Sequence, residues 1–218
     1  MRLERLLGWP SEPRTVADLQ GRGYNFDPRR LRELVEREHW HHDDYRQPLP
    51  PEPPGEPVPG GTFQLAQALM RDYRFADGSA VHAIFEQDTP LEGRDMLLVA
   101  RFAGLDFRLG VRVAGVVDEE RVEDGRPVRV WGWCYRTLRG HLEAGQIEFR
   151  AEPAPEGLRF EIESWARSAD RMSNLLYHRL RMAKEVQLHM WTSFLERVAK
   201  ASGGRLTGGI DIDTRRVE

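Results

Sequence analysis

Trp131-Gly132-Trp133-Cys134-Tyr135-Arg136-Thr137-Leu138-Arg139-Gly140-His141-Leu142-Glu143-Ala144-Gly145-Gln146-Ile147-Glu148-Phe149 reads as a strand, a polar glycine-hinged turn and a second strand. Large and small or polar side chains alternate up to Thr137, and the alternation resumes at Ile147, the pattern of a hairpin with one face buried. The turn gathers a hydroxyl, an imidazole and a carboxylate (Thr137, His141 and Glu143) beside Gly140 and Gly145.

The same period of two extends to both sides. Val81, Ala83 and Phe85 alternate with His82, Ile84 and Glu86; Met96, Leu98, Ala100 and Phe102 form a second run, and Phe107, Leu109, Val111 and Val113 a third. Beyond the hairpin, Leu158, Phe160 and Ile162 alternate with Arg159, Glu161 and Glu163. Counting the hairpin, this gives about six antiparallel strands, each half buried, with one apolar and one wet face. The period then changes. From Ala169 to Ala201, Met172, Leu176, Leu180, Ala183, Met190, Phe194 and Val198 fall on one helical stripe, which Gly203-Gly204 ends. A shorter helix opens at Thr62, with Leu65, Ala66, Leu69 and Tyr73 at helical spacing. Strands bracketed by a short and a long helix argue against a parallel βαβ fold. The expected class is α+β: a curved antiparallel sheet gripped by the long C-terminal helix.

Four regions follow. Residues 1–45 are an N-terminal segment with short helices, one at 14–20 and one opened by Asp27 as N-cap and Pro28 at the first helical position. Residues 46–61, with prolines at 48, 50, 51, 53, 54, 57 and 59, read as an extended connector. Residues 62–202 form the helix-grip domain, and 203–218 a glycine- and charge-rich tail that frays.

Composition bounds function. A chain of 218 residues hides roughly 70% of its unfolded surface and needs no disulfide or metal to hold a core. A net charge of -3 does not favour nucleic acid. A single cysteine, Cys134, rules out an internal disulfide and a cysteine-rich zinc site. The charged N-terminus lacks the apolar run of a signal peptide, and no stretch has the roughly 18 apolar residues of a membrane span, so the expected location is the cytoplasm. There is no phosphate loop, Gly-x-Ser-x-Gly, His-Glu-x-x-His or Cys-x-x-Cys, which argues against nucleotide-dependent chemistry and standard hydrolysis.

Three stretches together resemble a known family: Pro90-Leu91-Glu92-Gly93-Arg94-Asp95-Met96-Leu97-Leu98; Gly110-Val111-Arg112-Val113 with Val116-Val117-Asp118-Glu119; and Tyr135-Arg136-Thr137-Leu138-Arg139-Gly140-His141-Leu142-Glu143-Ala144-Gly145. They look like DUF1990 (UPF0548-like), a bacterial and plant group of uncharacterised proteins near the START/Bet v 1-like superfamily. The resemblance spans roughly residues 40–200 and implies a helix-grip fold with an apolar cavity, as in lipid-binding relatives of that superfamily. It carries over no catalytic residue. Trp165-Ala166-Arg167-Ser168-Ala169 lacks the proline usual before the long helix, and Arg139 and Leu142 stand where some members have proline.

Thr137, His141 and Glu143 read either as a polar cluster at the cavity mouth, with Glu143 orienting an acid/base His141, or as caps on backbone groups freed by Gly140 and Gly145. Capping is preferred. Cys134 is expected to be an inert buried thiol. Trp131, Trp133 and Tyr135 share a face and read as core before pocket lining. His39-Trp40-His41-His42-Asp43-Asp44 is metal-capable, but adjacent residues rarely converge, so a surface segment is preferred and no metal or cofactor is expected. His178, Glu185 and His189 share a solvated helix flank. Arg136, in phase with Val128, Val130 and Cys134, is expected to point into the cavity more readily than Arg101 and to meet an acidic partner or head group there.

The resulting expectation is a small hydrophobic or amphipathic molecule bound between sheet and helix. Leu98, Phe107, Leu109, Val111, Phe160, Leu176, Leu180 and Met190 would line the site, Met182 would add adaptable packing, and Arg136, Thr137 and His141 would orient the polar end. One alternative is a cyclase, isomerase or dehydratase using His141 and Glu143 without a cofactor. Another is an interaction module, docking a partner or a second copy through the proline-rich segment; a homodimer is compatible with it.

Overall fold

The computed structural model describes residues 12–53, 56–74, 81–102, 105–123, 125–154, 157–169, 181–201 and 209–217. Within these, eight strands form one antiparallel sheet: β1 (His41–Leu49), β2 (Val81–Ile84), β3 (Asp95–Phe102), β4 (Leu105–Glu123), β5 (Arg126–Thr137), β6 (Glu143–Ala154), β7 (Gly157–Ser168) and β8 (Asp211–Arg216), in the order β2-β3-β4-β5-β6-β7-β1-β8. The helices are α1 (Leu31–Arg37), α2 (Thr62–Arg71) and α3 (Arg181–Ala201). The expected α+β grip is present, with α3 packed across β1 and β7 and touching α2.

Alternation assigns the two faces. Met96, Leu98, Val111, Val113, Trp131, Trp133, Tyr135, Phe149, Ala151, Phe160 and Ile162 look inward, where Phe63, Ala66 and Met70 of α2 and Trp191, Phe194, Leu195 and Val198 of α3 complete one core. A register shift between Val113 and Gly115, where β4 runs beside β5, marks a bulge of the kind that bends a sheet.

Two strands correct the sequence reading. The segment expected at the surface, together with the first residues of the supposed connector, is β1, held between β7 and β8. Its His-His-Asp-Asp-Tyr-Arg-Gln-Pro-Leu sequence has polar residues on both faces, so no apolar period betrays it. Pro48 is tolerated because β8 ends opposite Arg46, leaving that edge of β1 unpaired where proline lacks its donor. A boundary at 45/46 therefore cuts through a strand. The tail expected to fray supplies β8, whose side chains are exposed; the Val217 amide donates to the Trp40 carbonyl at 2.9 Å.

The described residues of the remaining proline stretch contact the amino end of α2. Glu52 accepts hydrogen bonds from the backbone amides of Val58 (3.2 Å) and Phe63 (3.0 Å), so a carboxylate sits at the amino end of α2, where the helix dipole favours it. The N-terminal segment packs on the sheet's outer face, away from α3. Leu19 joins Leu97, Val99 and Leu138, while Val35 and Trp40 pack with Ala144 and half-buried Trp165. Asp27 caps the first turn as expected, accepting from the Arg29 amide at 3.0 Å.

Candidate ligand-binding site

The β5–β6 turn brings the quoted residues together at one end of the sheet. Gly140, at φ +96, makes the turn that lets the chain reverse. Thr137 is buried and its hydroxyl is fully used: Oγ1 accepts from the Gly145 amide at 2.9 Å and donates to Asn25 Oδ1 at 2.6 Å. Asn25 Nδ2 in turn donates to the Glu143 carbonyl at 2.7 Å. Thr137 thus ties the N-terminal segment to both strands of the hairpin, which is the capping role. Asn25 was not singled out from sequence, because its partners lie more than a hundred residues away.

His141 is oriented by Glu143, but through the backbone. The Glu143 amide donates to His141 Nδ1 at 3.0 Å, which requires a bare Nδ1 and leaves the ring proton on Nε2. Burial pushes the imidazole down to about 4, so it is neutral at physiological pH. The alternative of an imidazole–carboxylate dyad therefore gives way to a turn contact. The Glu143 side chain is half buried, on the inner face at the start of β6. Burial, reinforced by the charge of Asp43, pushes its carboxyl up to about 7.

A contiguous set of rings lies further along the inner face. Trp133 and Phe149 are 4.9 Å apart between centroids, Phe149 and Trp191 6.2 Å, and Trp191 and Phe194 5.1 Å. Tyr73 joins them from the end of α2. It sits in the left-handed region at φ 54, its amide bonded to the Met70 carbonyl and the Arg74 amide to the Leu69 carbonyl. This helix termination usually employs glycine, and a side chain there costs about 1–3 kcal/mol. The strained backbone places the Tyr73 ring 6.4 Å from Phe149, and its hydroxyl shares a hydrogen bond with Tyr135. Helical spacing assigned Tyr73 to α2; its turn geometry is invisible in the sequence.

The other expected site residues are placed as follows. Leu98, Val111 and Phe160 are buried on the inner face, Leu109 is partly buried against the same core, and Phe107 is half buried beside it in β4. Leu176, Leu180 and His178 lie outside the described residues, as do the side chains of Met182, Glu185, His189 and Met190. Arg136 does not point inward. Tyr135 and Thr137 take the inner face, so Arg136 lies outside, donating to Gln146 Oε1 at 2.6 Å with its guanidinium 5.8 Å from the Tyr24 ring. Period two separated the two faces of β5 correctly, but the small apolar residues shared with Arg136 suggested the wrong one as interior. Arg101 is exposed and paired with Asp106 at 2.9 Å. Cys134 is on the outer face; burial, aided by Glu148, pushes its thiol up to about 11, far from a reactive thiolate.

That outer face carries a charge ladder across β6, β7 and β1. Glu163 accepts from Arg150 at 2.6 Å and from His42 Nε2 at 2.9 Å, while Arg46 bonds Glu161 at 2.8 Å and pairs with Asp44. Burial, with Glu161 adding like charge, pushes Asp44 up to about 6. The metal-capable run is thus divided between two faces, and no group of three His, Cys, Asp or Glu side chains poised for a metal occurs among the described residues. Nor is any helix among them long and apolar enough to cross a membrane.

No curated protein matches the chain. Among solved structures, it is similar to a hypothetical protein from Helicobacter pylori, at 13% identity and TM-score 0.40, over 66% of this chain and 83% of that one. It is similar to Ara h 8.0201 at 7% identity and TM-score 0.42, over 77% of this chain and 99% of that one. An uncharacterised protein from Rhizobium leguminosarum is similar at 13% identity and TM-score 0.35, over 72% and 95% of the two chains. The sequence profile of DUF1990, a domain of unknown function, matches residues 31–197, from α1 through most of α3. The chain belongs to the DUF1990 family.

Proposed function

We propose that this protein binds a small hydrophobic or amphipathic molecule between the inner sheet face and the C-terminal helix. The observation that carries this reading is Ile147. It stands on β6, hydrogen-bonded to β5 and β7, on the face that bears the core, yet its side chain is only partly buried. An isoleucine at the centre of a covered sheet face is ordinarily enclosed. Leu109 and Val116 on β4 are also only partly buried. Apolar wall open to solvent beside polar groups is the usual form of a small-molecule site. Leu98, Phe107, Leu109, Val111 and Phe160 would form the apolar wall, with the Nε2–H of His141 at its polar end. Titration with Nile red, a neutral apolar dye, tests this: the protein takes up the dye with saturation, and Ile147→Trp, which fills the opening, abolishes uptake without unfolding. Equal uptake by both proteins, or none by either, removes the reading.

A second reading is favoured by Glu143. A carboxyl held near 7 on an apolar face suits general-base work in an isomerase, cyclase or dehydratase that needs no cofactor. Glu143 acts alone here, since His141 is engaged by the backbone. Incubation with 2-tetralone in deuterated water tests it: catalysed deuterium uptake next to the carbonyl must vanish in Glu143→Gln while Nile red binding persists. Uptake no faster than in buffer ends the reading for that substrate class.

A further inference from the structure

The sheet ends at β8, which pairs with β1 on one side and, among the described residues, with no strand on the other. The register shows which of its backbone groups face that open side. The Val217 amide, one residue past the strand, donates to the Trp40 carbonyl at 2.9 Å, and 217 lies opposite 40 when the register of β8 and β1 is continued. Hydrogen-bonded pairs alternate in an antiparallel ladder, so Arg215, Asp213 and Asp211 turn their amides and carbonyls toward β1. Ile212, Thr214 and Arg216 turn theirs to the free edge, which is a ready template for another strand. Proline and bulges, common protections of such an edge, are absent from β8. Its charge also changes sign along the strand, with Asp211 and Asp213 followed by Arg215 and Arg216. On the outer face Asp213 stands opposite the like charge of Asp44, and Arg215 opposite His42, whose Nδ1 accepts from Arg215 Nε at 3.2 Å. Neither Asp213 nor Arg215 forms an ion pair with a described residue.

We infer that β8 is a self-association edge: a second copy of this chain adds its own β8 antiparallel to the first, about a two-fold axis at Thr214, and the two sheets become one. The inference is independent of the binding reading above. Backbone and charge select the same register. Ile212, Thr214 and Arg216 of one copy must face the same three residues of the other, because a slip of one residue would set the two sheets' faces out of phase. Two central registers meet this requirement. The first places Asp213 opposite Asp213 of the second copy, which repels. The second places Thr214 opposite Thr214 and Ile212 opposite Arg216, exchanging about six backbone hydrogen bonds. In it, Asp213 of each copy lies opposite Arg215 of the other, in the positions of the ladder where side chains approach most closely. Two charges that have no ion-pair partner within one chain thereby gain one from the other.

Sedimentation equilibrium of the full-length protein, over a concentration series reaching the high micromolar range, tests this. The expected result is a reversible monomer–dimer equilibrium that salt weakens. Thr214→Pro removes an amide that faces the edge and spares the amides bonded to β1, so it should abolish the dimer while native circular dichroism is kept. Asp213→Arg meets Asp44 favourably across β1, so it leaves β8 docked, yet it sets arginine against Arg215 of the second copy. It should raise the dissociation constant about tenfold, and adding Arg215→Asp should restore the wild-type value. A chain that stays monomeric throughout the series overturns the inference. So does a dimer that Thr214→Pro leaves intact, which would put the interface elsewhere, and so does a dimer indifferent to Asp213→Arg or not rescued by the double change.

Discussion

Replacing Glu143 by glutamine gives a pH-dependent gain in stability whose sign follows from its position. In the unfolded chain the carboxyl titrates near 4.5; in the folded protein, burial and the neighbouring Asp43 charge raise it to about 7. The folded state therefore binds the proton more tightly. The stabilising preference for the protonated form is complete below pH 4.5, and stability is lost as pH rises from there through 7. A shift of this size corresponds to about 3 kcal/mol at full value. Because the side chain is half buried, solvent screening reduces the working figure to about 1–2 kcal/mol. Glutamine has the same shape without the charge. Urea unfolding followed by tryptophan fluorescence should find the variant and wild type offset by a constant amount near pH 4. The variant should then gain between pH 4.5 and 7 and hold a plateau above, where its midpoint sits roughly 0.5 M urea higher relative to that offset. An offset that stays constant from pH 4 to 8.5, or one that favours glutamate as pH rises, would refute the burial argument.

Thr137→Val leaves the buried Gly145 amide without its acceptor and frees Asn25, so it should cost about 1–3 kcal/mol and speed amide exchange across residues 22–26, read by hydrogen exchange. Gly145→Ala places a methyl 2.5 Å from the Trp165 carbonyl oxygen in a neighbouring strand, and should lower the thermal midpoint by several degrees or prevent folding. Cys134, with its thiol near 11, should react with iodoacetamide at pH 8 far more slowly in the folded protein than in urea; comparable rates would contradict its enclosure.

The sheet interior was legible in the sequence wherever one face of a strand is apolar. The hairpin around Gly140, the runs at Met96–Ala100 and Leu158–Ile162 and the C-terminal part of α3 all announce themselves through periodicity. β1 and β8 do not: β1 sends only Tyr45 and Leu49 into the core, with the polar Gln47 between them and His41 and Asp43 on the same face, and the side chains of β8 are exposed, so neither His41–Leu49 nor Asp211–Arg216 shows an apolar run. Faces were harder to assign than strands. Arg136 kept company with Val128, Val130 and Cys134, and only the packing of Trp131, Trp133 and Tyr135 against the helices reveals which side is inside. At the candidate site, the sequence grouped Thr137, His141 and Glu143 correctly in space. Their chemistry depended on information that spacing does not hold: whether Glu143 meets the imidazole through its amide or its carboxylate, and that Asn25 arrives from the N-terminal segment.

Native mass spectrometry of freshly purified protein, followed by identification of whatever denaturation releases, tests most directly for a guest between sheet and helix. The predicted result is a discrete noncovalent increment above the polypeptide mass, lost in Ile147→Trp, from a small hydrophobic or amphipathic molecule. A bare polypeptide mass in every fresh preparation, with no uptake of Nile red, would contradict the central claim and mark the interior as a closed core.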